Sequence, residues 1–358
     1  MQKIRLMVID DSLFFRTFIT INISKDPTIE IVGSFGDPVV ASRSIDELRP
    51  DVIALDMEMP RMRGTEFLRT VMPKYPNVKA VVISALSGNV FDAMHAGAIE
   101  FVGKPGSQPG YDEAQFIDDI IQKIKIAASA NVIKSGAVQS RPAQTTPHAT
   151  PAARPGAGAT GATSKSVIAI GASTGGTEAI LEVITRFPAN TPGVVIVQHM
   201  PPVFTKMYAE RADKICAMKV SEAQSGDRVE RGTILIAPGG DQQMYLRQDI
   251  NGYYVNLTPG AKVSGHCPSV DVLFDSVSKI AGRNAVGVLL TGMGADGANG
   301  LTSMKHAGAH TIGQDKESCV VYGMPMEAFK RGGVTEQLPL NSIGDAVLRY
   351  FNIPHPLT

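Results

Sequence analysis

The sequence predicts two doubly wound α/β domains joined by a flexible tether. Three observations carry this. Short apolar runs alternate with helical patterns five times in the first 130 residues, a second series of the same kind begins at Ser166, and between them lies a segment with nothing to bury. At 358 residues the chain has room for both domains, at roughly 150 residues each.

In the first domain (residues 1–130) the apolar runs are IRLMVID (4–10), IEIVGSF (29–35), VIALD (52–56), KAVVISA (79–85) and IEFVGK (99–104). Near-continuous apolar strands separated by helices indicate a parallel sheet covered on both faces, of the flavodoxin-like kind. The closing helix carries Phe116, Ile117, Ile120, Ile121 and Ile124 at helical spacing, on one face. Residues 138–165 read VQSRPAQTTPHATPAARPGAGATGATSK, without Ile, Leu, Phe, Tyr, Asp or Glu. Such a composition does not offset its ordering entropy, so a flexible linker is expected there.

The second domain (166–353) opens with SVIAIGAS and continues through GVVIVQHM, TILIAP, NAVGVLLTGMG and HTIGQD. This predicts a Rossmann-like, mostly parallel sheet. QMYLRQ and YYVNLT flank Asn251-Gly252, a strong hairpin signal, so an antiparallel insertion or edge is expected.

Composition narrows the function. Hydrophobic residues are 44% and charged residues 19%, an ordinary core-forming balance. Lys+Arg and Asp+Glu are 34 each, which argues against nucleic acid or an anionic membrane as partner. No apolar stretch approaches the ~18 residues of a membrane span and no secretory leader is visible, so a cytoplasmic protein without membrane insertion is expected. Cys216, Cys267 and Cys319 form no C-x-x-C pair and fit a reducing compartment.

Two groups of residues carry chemistry. In the first domain Asp10 and Asp11 end the first strand and Asp56 the third, the two strands that flank the switch point of a flavodoxin-like sheet, where ligands bind. Crowded carboxylates repel unless a hard cation joins them, and Mg²⁺ suits such a set. Ser84 and Lys104 close the fourth and fifth strands and face the same place. Taken singly, Asp11-Ser12 is an ordinary helix cap and a lone lysine a solvated surface charge.

This pattern resembles the receiver domain of two-component response regulators, carried by VIDDS (8–12), LDMEMPRMRG (55–64), Ser84 and Lys104-Pro105. The resemblance implies that Asp56 accepts a phosphoryl group from a histidine kinase. It implies Mg²⁺ bound by Asp11, Asp56 and the Glu58 carbonyl with Asp10 in support, and Ser84 and Lys104 as switch residues. Arg63, where many members have Asp, and Gly103, where Thr is common, depart from the pattern outside these positions.

In the second domain Gly171-Ala172-Ser173-Thr174-Gly175-Gly176 joins a strand to a helix, and its first five residues fit G-x-S-x-G. Such a turn exposes a serine beside free backbone N–H groups; Gly-rich turns of this kind also bind phosphate or only reverse the chain. His199 follows GVVIVQ and Asp296 follows AVGVLLTGMGA, both at strand ends. A serine, a base and a carboxylate at three strand ends of one sheet are what nucleophilic acyl transfer requires. His266, in SGHCPSVDV, competes with His199 for the role of base or lines the pocket. A dinucleotide site is weakened because Ser173 replaces the second Gly of G-x-G-x-x-G and no acidic residue ends the next strand.

The second domain resembles the catalytic domain of chemotaxis protein-glutamate methylesterases, the CheB family, through IAIGASTGGTEAI, VIVQHMPP, HCPSVDVLF, AVGVLLTGMGADG and CVVYGMP. The resemblance implies Ser173 as nucleophile, His199 as base and Asp296 as its orienting carboxylate, with Thr174 and Met293 contributing backbone donors. It implies γ-glutamyl methyl esters of chemoreceptors as substrate, deamidation of receptor glutamines, no cofactor for the hydrolase half, and an unphosphorylated receiver that restricts access. Two other output classes stand beside it: a DNA-binding module, against which the neutral overall charge and the large Gly-rich α/β output argue, and a nucleotide-binding, non-hydrolytic domain.

Overall fold

The computed structural model describes residues 3–85, 90–107, 111–130 and 165–354. Its first half alternates β1 (Ile4–Ile9), α1 (Leu13–Ile23), β2 (Ile29–Phe35), α2 (Pro38–Leu48), β3 (Val52–Asp56), α3 (Gly64–Val71), β4 (Lys79–Ser84), α4 (Val90–His95), β5 (Glu100–Gly103) and α5 (Glu113–Ser129). All five strands are parallel, in the order β2-β1-β3-β4-β5. Successive strand residues face opposite sides, so Leu6, Val8, Ala54 and Ile83 pack on α1 and α5, while Met7, Ile9, Ile53 and Val82 pack on α2, α3 and α4. On α5 the fully buried stripe is Phe116, Ile120 and Ile124; Ile117 and Ile121 sit at its edge.

The second half runs β6 (Val167–Ala172), α6 (Gly176–Ile184), β7 (Gly193–Gln198), α7 (Phe204–Ile215), β8 (Lys219–Glu222), β9 (Thr233–Ile236), β10 (Gln242–Asp249), β11 (Gly252–Pro259), α8 (Val270–Ile280), β12 (Ala285–Leu289), α9 (Ala298–His306), β13 (His310–Gln314), α10 (Met324–Lys330), β14 (Glu336–Leu338) and α11 (Leu340–Tyr350). The order β14-β13-β12-β6-β7-β9-β8 is parallel throughout. The hairpin is an insertion, not an edge: β10 and β11 form a two-stranded sheet of their own, bridged to the loop between β8 and β9 at Arg228 and Tyr254, and Met244, Leu246 and Val255 pack beside α8. The short outer strands β8 and β14 carry no apolar run of their own, which is why the sequence did not announce them.

The expected linker, except Lys165, lies outside the described residues. The halves nevertheless share an apolar seam. Phe101 meets Phe204 with ring centroids 4.7 Å apart, and Phe91 meets Tyr208 at 5.5 Å. Polar contacts border it, with His95 Nδ1 3.2 Å from Glu178 Oε2. Among the described residues, no helix is long and apolar enough to cross a membrane.

Candidate active site and phosphoacceptor site

The strand order places β6 between β12 and β7. Ser173 follows β6, His199 follows β7 and Asp296 lies in the loop after β12, so the three come from the carboxyl ends of adjacent strands. Backbone bonds lock these ends: Ser173 N–H donates to Thr291 O at 3.0 Å and His199 N–H to Ala172 O at 3.2 Å. Gly292 permits the close approach, since a Cβ there would lie 2.3 Å from Met324 Sδ and 2.8 Å from Ser173 Cβ.

His199 Nε2 and Asp296 Oδ2 are 2.8 Å apart. Asp296, only 1% exposed, also sits at the start of α8. It accepts from Val270 N–H at 2.8 Å, Asp271 N–H at 3.0 Å and the Ser269 hydroxyl at 2.7 Å. Burial works against its charge. The His199 hydrogen bond and charge, with the Asp271 and Ser269 donors, outweigh burial and hold its pKa below the usual carboxylate value. A carboxylate this well supplied stays ionised and fixes the imidazole.

With Nε2 engaged, Nδ1 is the nitrogen left for a proton from serine, and it is buried without a hydrogen-bond partner. Ser173 and His199 line one cavity of about 560 Å³. Catalytic hydrogen bonds commonly tighten only once substrate is bound. His266 lies flat on His199, ring centroids 3.7 Å apart and planes 9° apart. Burial, then the neighbouring His199 charge, pushes its pKa down to about 4, so it stacks as a neutral ring. The Asp296 contact goes to His199 and not to its rival. Thr174 and Met293 line the same cavity.

The cavity has a second wall, built by the receiver half: Glu100, Phe101 and Lys123 face it. Glu100 Oε1 accepts a hydrogen bond from the Thr174 hydroxyl at 2.5 Å, and its Oε2 pairs with Lys123 Nζ at 2.7 Å. Sequence reasoning missed Glu100; an acidic residue inside an otherwise apolar strand was its only signal. It also missed Ser269, whose N-cap position before α8 is legible but whose bond to Asp296 depends on the fold.

At the other site, acceptor oxygens of Asp10, Asp11 and Asp56 lie within 4.8 Å of one another. Lys104 Nζ stands 3.2 Å from Asp10 Oδ2 and 3.1 Å from Asp56 Oδ2. Burial raises the Asp56 pKa to about 6; Lys104 opposes this and Asp10 adds to it, while the Glu58 N–H favours the charged form. Burial also works against the Lys104 ammonium, but Asp56 and Asp10 together raise its pKa. Ser84 ends β4 in full burial, with Lys104 N–H donating to its carbonyl at 2.8 Å. Ser12 caps α1 as expected, accepting from Phe15 N–H, which leaves the exposed Asp11 free of that duty. Three hard oxygen donors at one sheet edge fit Mg²⁺.

An acidic strand-end pocket on one parallel sheet and a serine, imidazole and carboxylate on another define a response regulator with a hydrolase-type output domain. The profile of the response regulator receiver domain matches residues 6–113, and that of the CheB methylesterase matches residues 168–347. The chain is 50% identical over 352 residues to protein-glutamate methylesterase/protein-glutamine glutaminase 2 of Syntrophomonas wolfei, covering 98% of this chain and 99% of that protein. Its counterpart from Agrobacterium fabrum is 45% identical over 349 residues, covering 96% of each. Among solved structures, the Thermotoga maritima CheB methylesterase catalytic domain superposes with a TM-score of 0.50 at 36% identity, covering 52% of this chain and 98% of that domain. The chain belongs to the CheB methylesterase family.

Proposed function

We infer that this chain is a protein-glutamate methylesterase and protein-glutamine glutaminase acting on chemoreceptors in the cytoplasm, controlled by phosphorylation of Asp56 by a histidine kinase. The observation that carries the hydrolase is the His199–Asp296 pair, with its second imidazole nitrogen unpartnered in the cavity that Ser173 lines.

His199 Nδ1 takes the Ser173 proton as Oγ attacks the γ-carbonyl carbon of a methylated glutamate. Asp296 stabilises the imidazolium that forms. The carbonyl oxygen becomes an oxyanion held by backbone N–H groups at Thr174 and Met293. When the C–O bond to the methoxy group breaks, the imidazolium supplies the proton and methanol leaves. Water, deprotonated by the same imidazole, then cleaves the acyl-serine to glutamate. With a glutamine substrate the leaving group is ammonia and the product is again glutamate. His266 lines the pocket as the ring stacked on His199.

Control follows from the shared cavity. The receiver half contributes Glu100 to a hydrogen bond with the residue next to Ser173, and Phe101 to the seam beside it. This arrangement supports a docked receiver that narrows access. Lys104 follows β5 directly, so a phosphoryl group on Asp56 that draws Lys104 and Ser84 toward it acts on the strand that carries Glu100. Mg²⁺, held by Asp10, Asp11 and Asp56 with the Glu58 carbonyl, would neutralise charge on the incoming phosphoryl group.

The direct test is methanol release from methylated receptor membranes. The native chain releases it and Ser173→Ala does not; a Ser173→Ala variant of undiminished activity would refute the assignment.

A further inference from the structure

The carbonyls of the turn that bears Ser173 are gripped from both flanking strands. Gln198, the last residue of β7, donates from Nε2 to Ser173 O at 2.9 Å and reaches His199 O at 3.2 Å. Ser173 O takes a second hydrogen bond, from Gly176 N–H at 2.7 Å. From beyond β12, the Thr291 hydroxyl donates to Thr174 O at 2.9 Å.

Peptide units are planar, and in a trans unit the N–H points opposite to the C=O. The one cis bond among the described residues is Cys267–Pro268, so the Ser173–Thr174 unit is trans. With Ser173 O turned toward the Gln198 amide, Thr174 N–H is turned the other way, and Ser173, Thr174, Gln198 and His199 all line the one cavity. Among the described residues no acceptor takes that N–H.

We propose that Gln198 is a positioning residue for transition-state stabilisation: its amide sets the Ser173–Thr174 peptide so that Thr174 N–H meets the oxyanion. The inference rests on the role proposed above for Ser173. Two further observations favour a dedicated role over simple packing. Gln198 is 3% exposed and its Oε1 is buried with no hydrogen-bond partner, so the hydrogen bonds its amide makes all go from Nε2 to the carbonyls of Ser173 and His199. The turn also keeps space for it, because a Cβ on Gly176 would lie 2.1 Å from that oxygen. Gln198 touches no reacting atom and acts through the backbone.

Removing an oxyanion donor outright costs about 10²–10³ in kcat, and misaiming one costs part of that. Full-length Gln198→Met, which keeps side-chain length and loses the donor, is expected to lower kcat on methylated receptor membranes about 10- to 100-fold with KM within about twofold. A small alkylboronic acid, whose tetrahedral adduct on Ser173 places an oxygen in the oxyanion position, should lose affinity by the same factor. Gln198→Glu, which keeps the shape and puts an acceptor where the donor stood, should show the same two losses; it is the deciding variant if Gln198→Met does not melt cooperatively. Unchanged kcat, a loss confined to KM, or boronate affinity that does not follow kcat would overturn the proposal. Ser173→Ala, run beside them, separates the two readings. If it retains activity the serine mechanism fails, whereas if it is inactive and the Gln198 variants are normal, only the positioning role fails.

Discussion

The Thr174 hydroxyl, one residue from the proposed nucleophile, donates to the Glu100 carboxylate of the receiver half across 2.5 Å, with both residues buried. The proposed regulation and the proposed catalysis thus meet at a single residue. Glu100→Gln keeps the size of the side chain but removes the charge that holds Lys123 and accepts from Thr174. Hydrogen bonds to charged groups contribute about 1.5–3 kcal/mol, so the docked state should weaken measurably. The expected result is a several-fold rise in methanol release by the unphosphorylated protein. If basal activity stays at the wild-type level, the contact does not restrain the enzyme.

Asp56→Asn should abolish activation by a small-molecule phosphodonor while leaving basal turnover unchanged, because the catalytic cavity contains neither Asp56 nor its partners. Initial rates with and without acetyl phosphate and Mg²⁺ check this. Full activation of the variant would refute the proposed switch.

Asp296→Asn retains the shape of the side chain at the α8 N-terminus but presents an amide to His199. By analogy with other triads that lose their carboxylate, kcat should fall by roughly 10³-fold or more, with little change in KM. A loss below about tenfold would show that His199 does not depend on this partner.

His266 carries a pH prediction. Its pKa falls from 6.5 to about 4 on folding, so between those values the unfolded chain binds more protons than the folded one. Its contribution therefore lowers stability as pH drops from about 6.5 toward about 4 and is absent at neutral pH. His266→Gln should flatten the decline in urea midpoint between pH 7 and pH 5. An unaltered decline would exclude His266 as its source.

Gly292→Ala places a methyl group against Met324 Sδ and Ser173 Cβ. Overpacking of this kind costs about 1–3 kcal/mol. Both the urea midpoint and kcat should fall, since the displaced atoms include those of the proposed nucleophile. A variant that loses stability at full kcat would show that the strain is relieved away from Ser173.

Much of this was readable beforehand, for identifiable reasons. Ser173, His199, Asp56 and Lys104 each end an apolar run or follow one directly, so parallel-sheet geometry alone assigns them to an edge where ligands collect. Asp296 was placed by the same logic, although a loop separates it from its strand. The hidden contributors act through partners far along the chain. Gln198 ends the second strand of its domain, and no motif singled out Thr291 or Ser269; what each one grips is set by the strand order β12-β6-β7. Glu100 was out of reach for another reason, since its partner belongs to the other domain. The strands β8 and β14 lack the apolar periodicity that reveals a strand.

The same strand order dictates when the esterase comes into being. His199 and Asp296 are 97 positions apart, and the strand between their own is the earliest synthesised of the three. A nascent chain therefore carries the serine loop and the imidazole well before the carboxylate emerges, and distant pairings of this sort close slowly. With the proposed triad, hydrolytic competence arrives late in synthesis, after the receiver half has already been translated in full.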